Sequence, residues 1–156
     1  PSKEVLNLSD GVYSSNSIAA MGIAAHEAGH AMQKLENYAP LNLRSAIVPA
    51  VNISSSLSTP MFILGLIFAW QPLVYIGIGL FAASTVFALV TLPVEFDASK
   101  RAIQMLSEGG YISGAEEERN VRKVLSAAAL TYVAAAVTSL LSLLRLILIA
   151  KRNDRN

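Results

Sequence analysis

The chain has 156 residues, of which 53% are hydrophobic and 15% charged, and its mean hydropathy is +0.48. This balance excludes an ordinary water-soluble domain and predicts an integral membrane protein that contacts the lipid bilayer. The net charge of +1 comes from 12 basic and 11 acidic residues, so nothing indicates nucleic-acid binding. The chain has no cysteine, which excludes disulfides and thiolate metal ligands.

The first segment, residues 1–13, is predicted to be a short strand followed by a turn. Val5, Leu6 and Leu8 alternate with polar positions, and Asp10-Gly11 is typical of a turn. Such a strand beside a metal-binding helix can hold an extended peptide by backbone pairing, or it can merely cover the helix. The pattern leaves both interpretations open.

Residues 16–36 are predicted to form a helix that carries the motif His26-Glu27-Ala28-Gly29-His30. At about 100° per residue, positions i and i+4 share one helix face, so the imidazoles of His26 and His30 can converge on one ion. Two imidazoles and one carboxylate suit a single catalytic Zn²⁺ with water in the fourth position. Glu27 lies next to a ligand, where it can act as the general base.

A five-residue pattern also arises by chance, and a histidine on a helix is usually a satisfied side chain. Here the chain has only two histidines, and both stand at the required spacing. Gln33 and Asn37 continue the same helical face. They are candidate partners of the site, substrate contacts, or simply solvated polar residues.

Three apolar stretches are each long enough to cross a bilayer, which needs about 20 residues of helix. The first, 46–70, contains Pro49 and Pro60 and is predicted to be kinked. The second, 73–92, has no charged residue, and the third is 125–150. The predicted fold class is therefore mainly α, an integral membrane protein with about three transmembrane helices and a zincin-type active-site helix.

Residues 93–124 form a predicted juxtamembrane catalytic segment. Glu95 and Asp97 are the first carboxylates after Glu36, and they directly follow the second span. Two crossings return the chain to the side of His26 and His30, so the third metal ligand is expected here. Residues two apart point in different directions on a helix, and only one of the two acids is expected to bind the metal directly.

The motif residues resemble those of a known family. The sequences HEAGHAMQ and LPVEFDAS, with Tyr38, Pro40, Arg44, Pro49 and Asn52 between them, are similar to the YugP-like neutral zinc metallopeptidases of bacterial membranes. A looser similarity links the chain to HtpX-like and CAAX-prenyl-type membrane metallopeptidases, and it implies that Glu95 is the third ligand. Members of the first family usually carry a further N-terminal membrane helix, which implies that residues 1–156 are a fragment.

One departure limits what the resemblance implies. The looser relatives place an Asp four residues after the ligand Glu, where it can support a metal-bound His; here that position is Ser99, and the nearby acid is Asp97.

Tyr111, in a glycine-punctuated loop, is a candidate donor to the oxyanion of a tetrahedral intermediate. Local packing of this tyrosine is the simpler interpretation.

Together these features predict one domain, residues 1–156, that is a zinc-dependent membrane endopeptidase of peptide or membrane-protein substrates, with oligomers possible. The alternative is a membrane protein that uses the same site for structural zinc binding or sensing. Glu27 favours the peptidase, because a purely structural site has no use for a general base. A pore or transporter is disfavoured because the middle of the first two spans lacks ionisable residues.

Basic residues at the span ends predict the orientation in the membrane. Seven lie on the predicted catalytic side and three in the C-terminal tail, so the active site is expected to be cytoplasmic. The seven are Lys34, Arg44, Lys100, Arg101, Arg119, Arg122 and Lys123, and the three are Lys151, Arg152 and Arg155.

Overall fold

The computed structural model describes residues 5–154. All regular structure in this range is helical, which confirms the predicted mainly α class. The five helices are α1 (Asp10–Tyr13), α2 (Ile18–Leu35), α3 (Ala39–Ile67), α4 (Gln71–Glu108) and α5 (Ala115–Asp154).

The predicted N-terminal strand is wrong within the described residues, and residues 1–4 of that prediction lie outside them. Positions 5–9 have no regular structure, and α1 begins after Ser9, whose backbone is extended (φ −66°, ψ 155°). A strand is stabilised by a hydrogen-bonded partner strand, and residues 5–154 contain none. Val5, Leu6 and Leu8 therefore have no partner strand within residues 5–154.

Helix α2 has well-defined ends that fix the position of the histidine motif. The Ser17 hydroxyl accepts a hydrogen bond from the Ala20 N–H at 3.2 Å and caps the first turn. At the other end Asn37 adopts φ 53°, and the Tyr38 N–H donates to the Gln33 carbonyl at 2.9 Å. This left-handed C-cap turns the chain out of the helix, so Asn37 does not continue the histidine face as predicted.

Helices α3, α4 and α5 are each long and apolar enough to cross a membrane. Pro49 and Pro60 lie inside α3, and Pro93 lies inside α4. Helix α4 has 38 residues, or ~57 Å at 1.5 Å per residue, against ~30 Å for a hydrocarbon core. It is thus long enough to span a bilayer with its apolar part and still carry Glu95 and the following charged residues beyond it.

The chain forms two compact units. One consists of residues 5–42 and Leu92–Tyr132, and its core is made by the buried side chains of Ala25, Ala102, Leu106, Ile112, Val121 and Leu125. These residues pack α2 against the second half of α4 and the first half of α5. This unit contains every residue of the candidate site.

The other unit consists of Leu43–Thr91 and residues 133–154. Phe62, Val74 and Ala150 form its buried core. Two interhelical hydrogen bonds join hydroxyl groups, Ser55 with Ser84 at 2.6 Å and Thr85 with Ser139 at 2.7 Å. Such bonds satisfy polar side chains in helices that face hydrocarbon.

Candidate metal centre

The site begins with a close contact between the backbones of α2 and α4. Gly29, inside the histidine motif, is buried, and a Cβ placed on it would lie 2.5 Å from the carbonyl oxygen of Ala98. Only a glycine lets the two helices approach this far. The contact brings the face of α2 that carries His26 and His30 against the turn of α4 that carries Glu95.

Three side chains converge where the helices meet. Oε2 of Glu95 lies 3.0 Å from Nε2 of His26 and 3.5 Å from Nε2 of His30. One ligand-type atom from each residue lies within 4.8 Å of the other two. Glu95 is 2% exposed, so its carboxylate is held inside the protein rather than in solvent.

This donor set fits a zinc ion. Imidazole nitrogens and carboxylate oxygens bind Zn²⁺ at about 2.0–2.2 Å in tetrahedral geometry, which separates neighbouring ligand atoms by about 3.4 Å. The two Glu95 distances, 3.0 and 3.5 Å, lie close to that value. Three protein donors leave one tetrahedral position for water or substrate, as in catalytic rather than structural sites.

Each imidazole is oriented by a contact at its other nitrogen. Nδ1 of His26 lies 3.0 Å from the Ser99 hydroxyl oxygen, and Nδ1 of His30 lies 2.9 Å from Oε1 of Gln33. With Nδ1 donating to these oxygens, the lone pair of each Nε2 points toward Glu95. Ser99, four residues after Glu95, thus supports His26.

Gln33 determines the proton position on His30. Its side chain is fully buried, and Nε2 donates to the Val94 carbonyl and to Oδ2 of Asp97, both at 2.8 Å. Oε1 must therefore face His30, which must donate. Burial lowers the pKa of His30, but the hydrogen bonds with Glu95 and Gln33 and the nearby carboxylate charges outweigh it, so the pKa is raised above its ordinary value.

Asp97 lies behind Gln33 and is not part of the three-residue group. Its Oδ2 also accepts a hydrogen bond from Nε of Arg101 at 2.7 Å, and Nη1 of Arg101 pairs with Oε2 of Glu36 at 2.5 Å. Glu95 and Asp97 do point in different directions, because the stretch that carries them is helical. A chain of polar contacts therefore runs from His30 through Gln33 and Asp97 to Arg101.

Glu27 lies between two hollows in the surface of this unit. Among residues 5–154 no hydrogen bond or ion pair to its carboxylate is present. One hollow, about 160 Å³, is lined by Ile23, His26, Glu27, His30, Glu95, Ser99, Leu125, Ala128, Ala129 and Tyr132. The other, about 500 Å³, is lined by Val5, Leu6, Glu27, His30, Ala31, Lys34, Leu35 and Asn37.

Tyr111 and Tyr132 differ in their position relative to the metal centre. Tyr111, the predicted oxyanion donor, is 71% exposed, and its ring lies against Gly109. It lines neither hollow. Tyr132 of α5 lines the hollow that contains the histidines, and sequence analysis missed it. The available signal was a tyrosine in the mainly apolar third predicted span.

All regular structure among residues 5–154 is helical, three of the helices are candidate membrane spans, and a His/His/Glu group could hold a metal ion. These features define the class: a helical, membrane-type protein with a candidate metal centre. The chain belongs to the family described as "Putative neutral zinc metallopeptidase", which matches residues 1–151. Membership of this family implies a zinc ion. It confirms the resemblance to zinc metallopeptidases that the sequence motifs indicated.

One curated relative is the "Putative membrane protease YugP" of Bacillus subtilis (strain 168), which is 48% identical over 149 residues. The match covers 96% of this chain and 66% of the relative, so the chain spans just under two thirds of that protein's length. No solved structure matches the chain significantly.

Proposed function

We propose that the protein is a zinc-dependent endopeptidase, embedded in the bacterial plasma membrane, that hydrolyses peptide bonds at the membrane face. The observation that carries the proposal is the convergence of His26, His30 and Glu95 with Glu27 on the adjoining helical position. Family membership and the printed name of the relative support the same reading.

The proposed ligands of one catalytic Zn²⁺ are Nε2 of His26, Nε2 of His30 and a carboxylate oxygen of Glu95. The ion, when bound, would act as a Lewis acid: it would lower the pKa of the attacking water and polarise the scissile carbonyl group. The side chains of Ser99 and Gln33 keep the two rings in the required tautomer.

Glu27 acts as the general base. Its carboxylate takes a proton from the attacking water and then gives that proton to the nitrogen of the leaving amine as the C–N bond breaks. Its place between the two hollows lets a peptide reach it from either side. Val5, Leu6 and Leu35 form an apolar part of the larger hollow, and this part suits an apolar side chain of the substrate.

The substrate is proposed to be a membrane protein or a peptide at the bilayer surface. The smaller hollow includes Leu125 and Tyr132 on α5, a candidate membrane helix. Because part of this hollow is formed by a candidate membrane helix, its substrates are expected to lie in or at the bilayer. The active site is proposed to face the cytoplasm, on the distribution of basic residues.

The alternative function is structural zinc binding or sensing by the same His/His/Glu group without hydrolysis. Glu27 and the hollows beside it favour hydrolysis, because a structural site normally closes all four positions with protein ligands.

The deciding experiment is metal analysis of the purified protein together with a casein-type proteolysis assay. We expect one zinc ion per chain and activity that a chelator removes and zinc restores. Glu27→Gln should keep the zinc and lose activity by ~10²–10⁴-fold, the usual cost of losing a general base. Glu116→Gln, which changes an exposed carboxylate at the start of α5, is the matched control and should be fully active. A zinc-loaded wild-type protein without proteolysis would favour the alternative.

A further inference from the structure

A third hollow, of different character from the two beside Glu27, lies on α5 in the unit that does not contain the metal centre. It measures about 700 Å³, and its wall is one face of α5 completed by Leu66 of α3. Its apolar part is formed by leucine and isoleucine side chains such as Leu141 and Leu148. Its polar part is formed by Arg145, Arg152 and Asn153.

The two arginines are seven positions apart on the same helix. Two turns of helix place them on one face, about 10 Å apart along the axis. Both are exposed, and neither forms an ion pair or hydrogen bond with any residue from 5 to 154. Arg145 is also flanked by Leu144 and Leu146 in the apolar run of a candidate membrane helix. A guanidinium in that setting needs an anion or access to the headgroups.

Phospholipids supply that anion together with acyl chains. A guanidinium binds phosphate through two parallel charge-assisted hydrogen bonds, and the leucine-lined part of the hollow suits hydrocarbon. Arg145 and Arg152 bring two positive charges to the lining of the hollow, and none of the lining residues is acidic. This excess of positive charge favours a headgroup with net negative charge over a zwitterionic one.

We propose that the α5 hollow is a binding site for one anionic phospholipid, with its phosphate between Arg145 and Arg152 and an acyl chain along Leu141 and Leu148. The site is independent of the peptidase activity proposed above, and it lies in a unit that carries none of the residues of the metal centre.

Native mass spectrometry of the delipidated full chain, titrated with phosphatidylglycerol or phosphatidylcholine, tests this site. We expect one phosphatidylglycerol to bind about tenfold more tightly than phosphatidylcholine. Arg145→Gln and Arg152→Gln should each weaken phosphatidylglycerol binding by about tenfold, the value of one charged hydrogen bond. Lys151→Gln, the matched control, removes the same charge from a residue that does not line the hollow, and should change binding less than twofold.

Four outcomes would overturn the site. An equal loss in Lys151→Gln would show general charge attraction, and equal affinity of the wild-type protein for both lipids would show packing of chains alone. Unchanged binding in both arginine variants would show that the lipid binds elsewhere on the protein. Inorganic phosphate in large excess should not displace the lipid; displacement would identify a simple anion site instead.

Discussion

Gln33 orients His30, one of the proposed metal ligands. It is fully buried, and its amide makes three hydrogen bonds, to His30, Val94 and Asp97. A buried amide with both ends satisfied is rigid, because any rotation would leave polar atoms without partners. His30 is therefore held in one tautomer and one ring orientation before any ion arrives.

Replacing Gln33 should weaken zinc binding although all three proposed ligands remain in place. In Gln33→Leu, of similar size, His30 loses the acceptor at Nδ1, and we expect zinc affinity to fall ~10–100-fold. Competition with a chelating dye measures the affinity. Gln104→Leu, an exposed residue on α4, is the control and should bind zinc like the wild type. Unchanged affinity in the Gln33 variant would show that the network does not orient the ring.

Measuring zinc affinity with the same competition assay separates the roles of Glu95 and Asp97. Glu95→Ala should bind no zinc at concentrations that saturate the wild type, because it removes a donor atom. Asp97→Ala should still bind one zinc ion with lower affinity, because Asp97 acts only through Gln33. Complete zinc loss in the Asp97 variant alone would reverse the assignment of the third ligand.

At the scale of helices, the contact between α2 and α4 sets the distance from the histidines to Glu95. The contact is backbone against backbone, at Gly29 and Ala98, with no side chain between them that could adjust. Interiors pack at the density of crystals, so one added methyl group there must move a helix.

Two glycines seven residues apart on α2 make a matched pair for testing this contact. Gly29→Ala should destabilise the protein by about 1–3 kcal/mol or more through overpacking, and should also weaken zinc binding, because the ligands separate. In Gly22→Ala the new methyl would lie 3.7 Å from Val121, an ordinary contact, and stability should be unchanged or rise by up to ~1 kcal/mol. Thermal unfolding in detergent compares the two, and equal midpoints would contradict the tight contact.

The sequence was most informative where a short motif could be read on one helix. The spacing of His26 and His30 and the return of Glu95 after two apolar spans led to the group that the structure brings together. The alternation at Val5 to Leu8 predicted a strand wrongly, because a strand depends on a partner that local pattern does not show. Ser99 and Tyr132 reach the site only through helix packing, which no spacing in the chain reveals.

At the scale of the whole molecule, α5 separates the loop at 109–114 from the C-terminal end of the chain. The helix runs from Ala115 to Asp154 and is a candidate membrane span. Its two ends should then lie on opposite sides of the bilayer.

The proposed cytoplasmic active site can be tested with single cysteines, because residues 1–156 contain none. A cysteine in the 109–114 loop should be protected from a membrane-impermeant thiol reagent in intact cells and labelled after lysis. A cysteine added after Asn156 should be labelled in intact cells, because the excess of basic residues favours a cytoplasmic location for the other end of α5. Labelling of the loop cysteine in intact cells would place the active site outside the cytoplasm.

The unit that holds the metal centre is assembled from two stretches of chain, with residues 43–91 made between them. When His26 and His30 leave the ribosome, Glu95 and Tyr132 have not yet been synthesised, and two apolar segments must first reach the membrane. A nascent chain therefore carries an incomplete centre until residues 92–132 have also been made. The order of synthesis thus delays the proposed peptidase activity until this second stretch can pack against the first.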